Sequence, residues 1–245
     1  MNILVLTRPA DPFSFLMGEI AEAIRGLEWD VTVCDLNRFM ENGTGDPGRQ
    51  VASPQPDIIF LQGTGLHFPQ DLRTPSPAED ALHAFRDLPT VRFVFKPEPP
   101  FENDHMEEGD HPFFEGTQGP NALFLSPDRH LVKRMKDLGL NKAFRFPADG
   151  MREAAPIIEQ FLREHLLFRR IEGMFTGDAR HDFQLLSQGA VAETVRFNGD
   201  YYVYRLASLA RDMGESNLAS EYIHMALEVN PAYLKARRLS LKIQP

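Results

Sequence analysis

The side chains best suited to metal chemistry lie in an acidic segment, residues 97–121, with the sequence PEPPFENDHMEEGDHPFFEGTQGPN. It places Asp104 beside His105 and Asp110 beside His111, with three glutamates nearby. Carboxylates and imidazoles together can bind a divalent cation. This pairing matches no metal-site signature, however, and clustered charge between prolines is typical of a solvated loop. We therefore predict no metal site and no cofactor.

The sequence lacks the residues that usually bind a pyrophosphate or accept a phosphoryl group. The turn after the first apolar run, Thr7–Pro12, contains no glycine that would let a pyrophosphate approach a helix N-terminus. A phosphate-accepting receiver domain would need an aspartate at the end of its third strand, where this chain has Leu61-Gln62-Gly63. A receiver-shaped module that is not phosphorylated stays open as an alternative. The chain also contains no nucleophile motif, so we assign no catalytic residue.

Small-molecule binding is predicted at the ends of the strands, because ligands of open α/β sheets bind at the carboxyl ends. There Gly63-Thr64-Gly65 could present backbone N–H groups to an anion, although a plain turn is the more usual meaning of two such glycines. The residues predicted to contact a ligand are Thr7, Arg8, Asp11, Gly63, Thr64, Gly65, His67, Lys96 and Glu98.

A parallel sheet must position these residues. Short apolar runs alternate with amphipathic stretches through residues 1–150, which predicts strands joined by right-handed crossovers in an α/β, doubly wound parallel sheet of Rossmann-like type. The predicted strands are Ile3–Leu6, Val31–Cys34, Ile58–Leu61, Val91–Phe95, Leu123–Leu125 and Ala143–Phe146. The predicted helices are Phe13–Gly26, Pro77–Arg86 and Arg129–Leu138, the last ending at a glycine cap, Gly139. Buried strand positions are predicted at Ile3, Val5, Val31, Val33, Ile59, Phe60, Phe93, Phe95 and Phe124.

From Met151 onward the strand signals end, and apolar residues recur at helical spacing. This predicts a boundary near Gly150 between an α/β domain, 1–150, and an all-α domain, 151–245. Near the end of the chain, Ala207, Ala210, Ala219 and Ala226 would let two helices pack closely, and other helices must then cover the apolar side of that pair. The candidates to cover it are Ile157, Phe161, Leu166, Phe183, Leu186 and Val195.

Composition limits the partners. The 245-residue chain has a net charge of −9, and residues 1–150 carry 14 basic against 23 acidic side chains, so the acidic half would repel nucleic acid. The first apolar run is too short for a signal peptide or a membrane span and lacks a basic leader, which predicts a cytoplasmic protein without a membrane segment. The lone cysteine, Cys34, excludes an internal disulfide.

Residues 200–233 resemble one tetratricopeptide repeat. The resemblance rests on Gly-Glu-Ser-Asn-Leu-Ala at 214–219, Ala-Leu at 226–227 and Asn-Pro at 230–231. Repeats of this family bind other proteins, so the likeness implies a protein partner or a second copy of this chain, which would form a homodimer. The predicted contact residues are Tyr201, Tyr204, Met225 and Tyr233, which would line an exposed groove unless the tyrosines belong to the core.

Residues 122–150, ALFLSPDRHLVKRMKDLGLNKAFRFPADG, are similar to the last strand-helix-strand of the N-terminal domain in GT-B glycosyltransferases, above all the bacterial spore-maturation-protein type. The opening MNILVLTRP and the later EWDVTV, 28–33, are similar to the first βαβ unit of that domain. In that family the nucleotide sugar binds mainly to a second Rossmann-like domain, which helices replace in this chain. The likeness therefore implies the fold and no donor-binding residue.

These features together favour a non-catalytic interaction or scaffolding protein, built from half a glycosyltransferase-like fold and a helical interaction module. The alternative is a glycosyltransferase-related enzyme or subunit that binds a nucleotide sugar or an acceptor at the carboxyl edge of the sheet.

Overall fold

The computed structural model describes residues 1–7, 14–35, 56–62, 88–96, 118–146 and 151–243. Within these ranges six strands form one all-parallel sheet in the order β2-β1-β3-β4-β5-β6. The strands are β1 Asn2–Thr7, β2 Asp30–Asp35, β3 Ile58–Gln62, β4 Thr90–Phe93, β5 Ala122–Ser126 and β6 Ala143–Arg145. Each lies where the sequence predicts a strand, so the doubly wound α/β sheet is confirmed.

The direction in which the chain adds strands to the sheet reverses between β1 and β3. The chain steps outward from β1 to β2 and then returns to the other side of β1. This is the 2-1-3-4-5 order of doubly wound sheets, in which only one strand lies outside β1, rather than the 3-2-1-4-5-6 order of dinucleotide-binding sheets. Leu6 is paired in register with Leu61, so the carboxyl ends of β1 and β3 lie side by side.

Burial of the strands follows their place in the sheet. Six of the nine predicted positions are buried: Ile3, Val5, Ile59, Phe60, Phe93 and Phe124. Val31 and Phe95 are half-buried. The prediction is wrong for Val33, which is 42% exposed. The reason is that β2 is an edge strand, and among the described residues only β1 pairs with it.

Eight helices occur in the described residues. They are α1 Ser14–Arg25, α2 Arg129–Asp137, α3 Met151–Glu172, α4 Ala179–Leu186, α5 Gly189–Thr194, α6 Gly199–Asp212, α7 Ser216–Val229 and α8 Leu234–Ile243. The first two match predicted helices, and α2 is followed by Gly139 at φ +84°, the left-handed conformation expected of a glycine cap. The predicted helix Pro77–Arg86 lies outside the described residues.

The chain divides into two compact units that alternate along the sequence. The sheet unit contains β1 to β4, most of β5 and β6, and the first turn of α3. The helical unit contains residues 118–122, 133–143 and 156–243 among those described. The predicted boundary near Gly150 falls on residues outside the described ranges.

Within the helical unit, α6 and α7 pack closely through small side chains. Ala207, Ala210, Ala219 and Ala226 are all fully buried. Two of the residues predicted to cover this pair, Phe161 and Leu186, are buried, and Ile157, Phe183 and Val195 are half-buried. Leu186 joins Phe168, Ile171 and Val191 in one apolar cluster with residues of α6. Leu166 does not cover the pair, because it is 62% exposed on the outer face of α3.

Residues that precede β5 are part of the helical unit. The side-chain amide of Gln118, which is 3% exposed, donates from Nε2 to the backbone oxygen of Ala232 (2.9 Å) and accepts at Oε1 from the backbone N–H of Leu234 (2.9 Å). Both contacts fix the start of α8. The turn before α8 is therefore held by a side chain that lies 116 residues earlier in the sequence.

Gly139 fits against the same turn with no space for a side chain. A Cβ atom there would lie 2.7 Å from Gln118 Nε2 and 2.8 Å from Ala232 Cβ. The backbone at Gly139 is also in the left-handed region, which costs other residues about 1–2 kcal/mol.

We predict that Gly139→Ala destabilises the helical unit by about 3 kcal/mol, because crowding adds to the backbone strain. Gly214→Ala is the matched control, since Gly214 has φ +80° but a Cβ atom added there would meet no atom within 4 Å. It should cost only about 1 kcal/mol. Urea unfolding of both full-length variants, followed by circular dichroism, measures the difference. Equal losses would mean that the close packing at Gly139 carries no energy.

Candidate binding groove

A groove of about 370 Å³ runs between α6 and α8 of the helical unit. Its lining residues are Tyr201, Tyr204, Arg205 and Arg211 from α6, and Lys235, Arg238, Leu239 and Lys242 from α8. The α8 residues are spaced by three or four positions, so they lie on one face of that helix. The spacing of Tyr201, Tyr204 and Arg205 likewise places them on one face of α6.

The groove is strongly basic. Five of its eight lining residues are cations, and α8 contains no acidic residue. In the part of the chain that the structure describes, Glu172 pairs with Arg205 and Asp212 pairs with Arg211. The excess of positive charge is notable in a chain whose net charge is −9. A local excess of cations raises the concentration of anions at the groove.

One arginine of the groove is held in place by its neighbours. Glu172 Oε1 accepts hydrogen bonds from Arg205 Nε (2.8 Å) and from the Tyr201 hydroxyl (2.7 Å). The guanidinium carbon of Arg205 also lies 5.6 Å from the centre of the Phe175 ring, within the range of a cation–π contact. Burial, and then the charge of Glu172, raises the pKa of Tyr201 well above its ordinary value, so its hydroxyl stays a donor.

A buried carboxylate fixes the segment that leads into α6. Glu164 is fully buried and accepts hydrogen bonds from the backbone N–H groups of Arg196, Phe197 and Asn198 at 2.7–3.1 Å. It also accepts one from Asn198 Nδ2 (2.9 Å). Such charge-assisted bonds are about twice as strong as neutral ones. They hold the N-terminus of α6, and with it the side chains that α6 contributes to the groove.

A buried lysine, Lys142, interacts electrostatically with Glu164 and Asp200. Lys142 is 3% exposed, and burial lowers the pKa of its ammonium group, while the charges of Asp200 and Glu164 act in the opposite direction. Asp200, in the first turn of α6, is itself 1% exposed. The three groups place opposite charges together inside the helical unit, where an unpaired charge would be costly. We interpret them as structural.

The predicted partner-binding residues are separated by the fold. Tyr201 and Tyr204 do line the groove. Met225 lies on α7 and is 48% exposed, away from the lining residues. Tyr233 is fully buried, with its ring 5.5 Å from that of Tyr204 in an edge-to-face contact. It belongs to the core and is not exposed in a groove, because its ring fills the space among Val203, Ala226 and Ala236.

The cations of the groove were not predicted as a site. The signal that could have indicated them is the α8 sequence LKARRLSLKI, which has four cations and no acid. Three of the four stand at positions 235, 238 and 242, one helical turn apart. A basic stripe at helical spacing is an electrostatic pattern that sequence alone reveals. Arg205 and Arg211, by contrast, are brought to the stripe only by the packing of α6.

At the edge of the sheet, the structure describes few of the predicted ligand contacts. Thr7 ends β1, and its hydroxyl donates to the Cys34 backbone oxygen (3.3 Å). Lys96 is half-buried after β4. Beside Thr7, at the end of β3, Gln62 is 6% exposed, and its Oε1 has no hydrogen-bond partner in the part of the chain that the structure describes. The contacts predicted at Arg8, Asp11, Gly63, Thr64, Gly65, His67 and Glu98 lie outside the described residues.

The acidic residues considered for a cation site, between 102 and 111, also lie outside the described ranges. Among the described residues, no cluster of three or more His, Cys, Asp or Glu side chains could hold a metal ion. No helix in those ranges is long and apolar enough to cross a membrane.

Comparisons with known proteins found no matching family model, no matching characterised sequence and no matching solved structure. They therefore give no support to the likeness to GT-B glycosyltransferases or to tetratricopeptide repeats. The parallel sheet and the helical unit are observed in the structure without support from a known family. The groove is the feature of the described residues that suggests a function.

Two substitutions of Tyr233 test its place in the core. We predict that Tyr233→Phe leaves stability unchanged or raises it by up to about 1 kcal/mol, because the buried hydroxyl has no partner within the described residues. Tyr233→Ala should cost about 3–5 kcal/mol, as expected for a truncated core aromatic. Chemical denaturation measures both values, and Met225→Ala, at an exposed position, should stay within about 0.5 kcal/mol. A clear loss with Tyr233→Phe would show that the hydroxyl has a partner.

Proposed function

We propose that this chain is a non-catalytic protein-interaction module whose helical unit binds an acidic segment of a partner protein in the groove between α6 and α8. The observation that carries the proposal is the set of five cations among the eight residues that line the groove. A partner with several carboxylates would complement this charge. Complementary charge also speeds the encounter of two proteins and rejects partners of like charge.

The length of the groove indicates how much of an extended segment it could contact. The lining residues of α6 run from Tyr201 to Arg211, a rise of about 15 Å along the helix. An extended chain rises about 3.3 Å per residue, so four or five residues would span the groove.

The row of cations also favours several separate carboxylates over one compact anion. Lys235, Arg238 and Lys242 lie along about 10 Å of α8. A single phosphate group could contact only part of that row, whereas acidic side chains on an extended segment are distributed along it. Nucleic acid is a poorer match, because the net charge of −9 would repel the phosphates that extend beyond the groove.

A nucleotide-sugar or acceptor site at the edge of the sheet stays a sequence-based prediction. The adjoining ends of β1 and β3 are the position at which doubly wound sheets bind ligands. Of the residues predicted there, Thr7 and Lys96 are the described ones. We therefore assign no catalytic step to the chain.

The test uses a fluorescein-labelled peptide of eight residues in which glutamate alternates with serine. We expect saturable binding in fluorescence anisotropy, weakened by added salt because exposed charges are screened. An analogue with glutamine in place of glutamate should bind at least tenfold more weakly. The double substitution Lys235→Glu with Arg238→Glu should weaken binding at least about thirtyfold, since each reversal replaces an attraction of about 0.5–1 kcal/mol by a repulsion of similar size.

The control is Arg180→Glu, which reverses one charge at an exposed position on α4 that is not among the lining residues. It should leave peptide binding within about twofold of the unmodified chain, because an exposed charge outside the groove is screened by salt. The proposal is wrong if the glutamine peptide binds as tightly as the glutamate peptide. It is also wrong if Arg180→Glu weakens binding as much as the double reversal in the groove.

A further inference from the structure

We infer that Glu172 and Tyr201 are positioning residues that hold Arg205 so that its two terminal nitrogens bind one carboxylate of the acidic segment. The inference rests on the proposed function and names the anchor within the same groove. Arg205 would set the register of the bound segment, and the other cations would mainly attract it.

Arg205 is fixed by a hydrogen bond to Glu172 and by contact with an aromatic ring. Its Nε donates to Glu172 Oε1 (2.8 Å), and the same oxygen accepts from the Tyr201 hydroxyl (2.7 Å). The Phe175 ring supports the guanidinium group at 5.6 Å. Within the described residues, Nε is the atom of Arg205 that hydrogen-bonds, so the two terminal nitrogens remain for a ligand. A guanidinium group presents two parallel N–H groups that match the two oxygens of a carboxylate.

Arg205 differs in its hydrogen bonds and exposure from Arg211, the other arginine that α6 contributes to the groove. Arg211 donates from both Nε and a terminal nitrogen to Asp212, so two of its nitrogens already contact a carboxylate, whereas only Nε of Arg205 does so among the described residues. Its side chain is 39% exposed, against 27% for Arg205. A hydrogen bond made in the less exposed position competes less with water and contributes more. Arg205 is therefore the better anchor.

Removing Glu172 would have opposite effects on peptide binding, depending on whether Glu172 positions Arg205 or only contributes a negative charge. Glu172 is an anion beside a groove proposed to bind anions, and it stands next to the cation that would bind them. If the groove acted only through its net charge, removing Glu172 would strengthen the binding of an acidic peptide. If Glu172 positions Arg205, removing it would weaken that binding, because the guanidinium group would lose its fixed orientation.

The experiment uses the alternating glutamate and serine peptide and places the Glu172 variants in a Tyr201→Phe background. That background removes the hydroxyl that Glu172→Ala would otherwise leave buried without its acceptor. Relative to Tyr201→Phe alone, we expect Glu172→Ala to weaken binding about tenfold. Glu172→Gln should lie between the two, since its amide oxygen can still accept from Arg205 Nε. Glu221→Ala, at an exposed position on α7, controls for the loss of one negative charge.

Tighter or unchanged binding after Glu172→Ala would overturn the inference. Arg205→Lys gives an independent measurement, because it retains the charge but loses the planar pair of donors. We expect it to weaken binding nearly as much as Arg205→Ala, and full binding by Arg205→Lys would also overturn the inference. In both cases the reversal at Lys235 and Arg238 would still weaken binding at least about thirtyfold, which separates failure of this inference from failure of the proposed function. Melting temperatures of all variants confirm that the helical unit is folded.

Discussion

The groove depends on one buried side-chain amide. Asn230, 1% exposed, lies between α7 and α8 and donates from Nδ2 to Asp200 Oδ2 (2.7 Å) and to the backbone oxygen of Gly139 (2.9 Å). Its Oδ1 accepts from the backbone N–H of Ala232 (3.2 Å). A single residue thus connects the end of α7, the first turn of α6 and the turn before α8. A buried polar group left without its partner costs about 1–3 kcal/mol, so these contacts select one arrangement of the helices.

This arrangement of the helices determines where the cations lie. Because the start of α8 is fixed beside the start of α6, the stripe of Lys235, Arg238 and Lys242 lies opposite Arg205 and Arg211. Like charges on facing helices repel each other, and Glu172 and Asp212 reduce this repulsion by pairing with the two arginines. An anion bound as proposed would relieve the remaining repulsion. The polar contacts at Asn230 and Gln118 hold the two helices in place before any anion is present.

The sheet could be predicted from sequence, and the groove could not. Short apolar runs such as IIFLQ indicate buried strands by themselves, because a parallel strand is covered on both faces whatever its neighbours are. Val33 was misjudged because its exposure depends on the order of the strands, which composition does not show. The groove combines residues 201–211 with residues 235–242, and the contacts of Asn230 and Gln118 fix the start of the second segment. No local pattern relates a glutamine before a strand to a helix start 116 residues later.

The tyrosines show why a binding surface should be sought among half-exposed residues. An exposed aromatic residue at helical spacing is the usual sign of a binding site, and this expectation pointed to Tyr201 and Tyr233. In the fold, Tyr233 is core, and Tyr201 is 8% exposed with its ring 5.2 Å from that of Phe168. Replacing Tyr201 and Tyr204 by alanine would therefore reduce stability and could not separate binding from folding. Lys235 is half-buried and Arg238 is exposed, so reversing their charges should disturb the core less than removing either tyrosine. The cations proposed to attract the acidic segment therefore differ from the aromatic residues that form the core, although both lie on the same two helices.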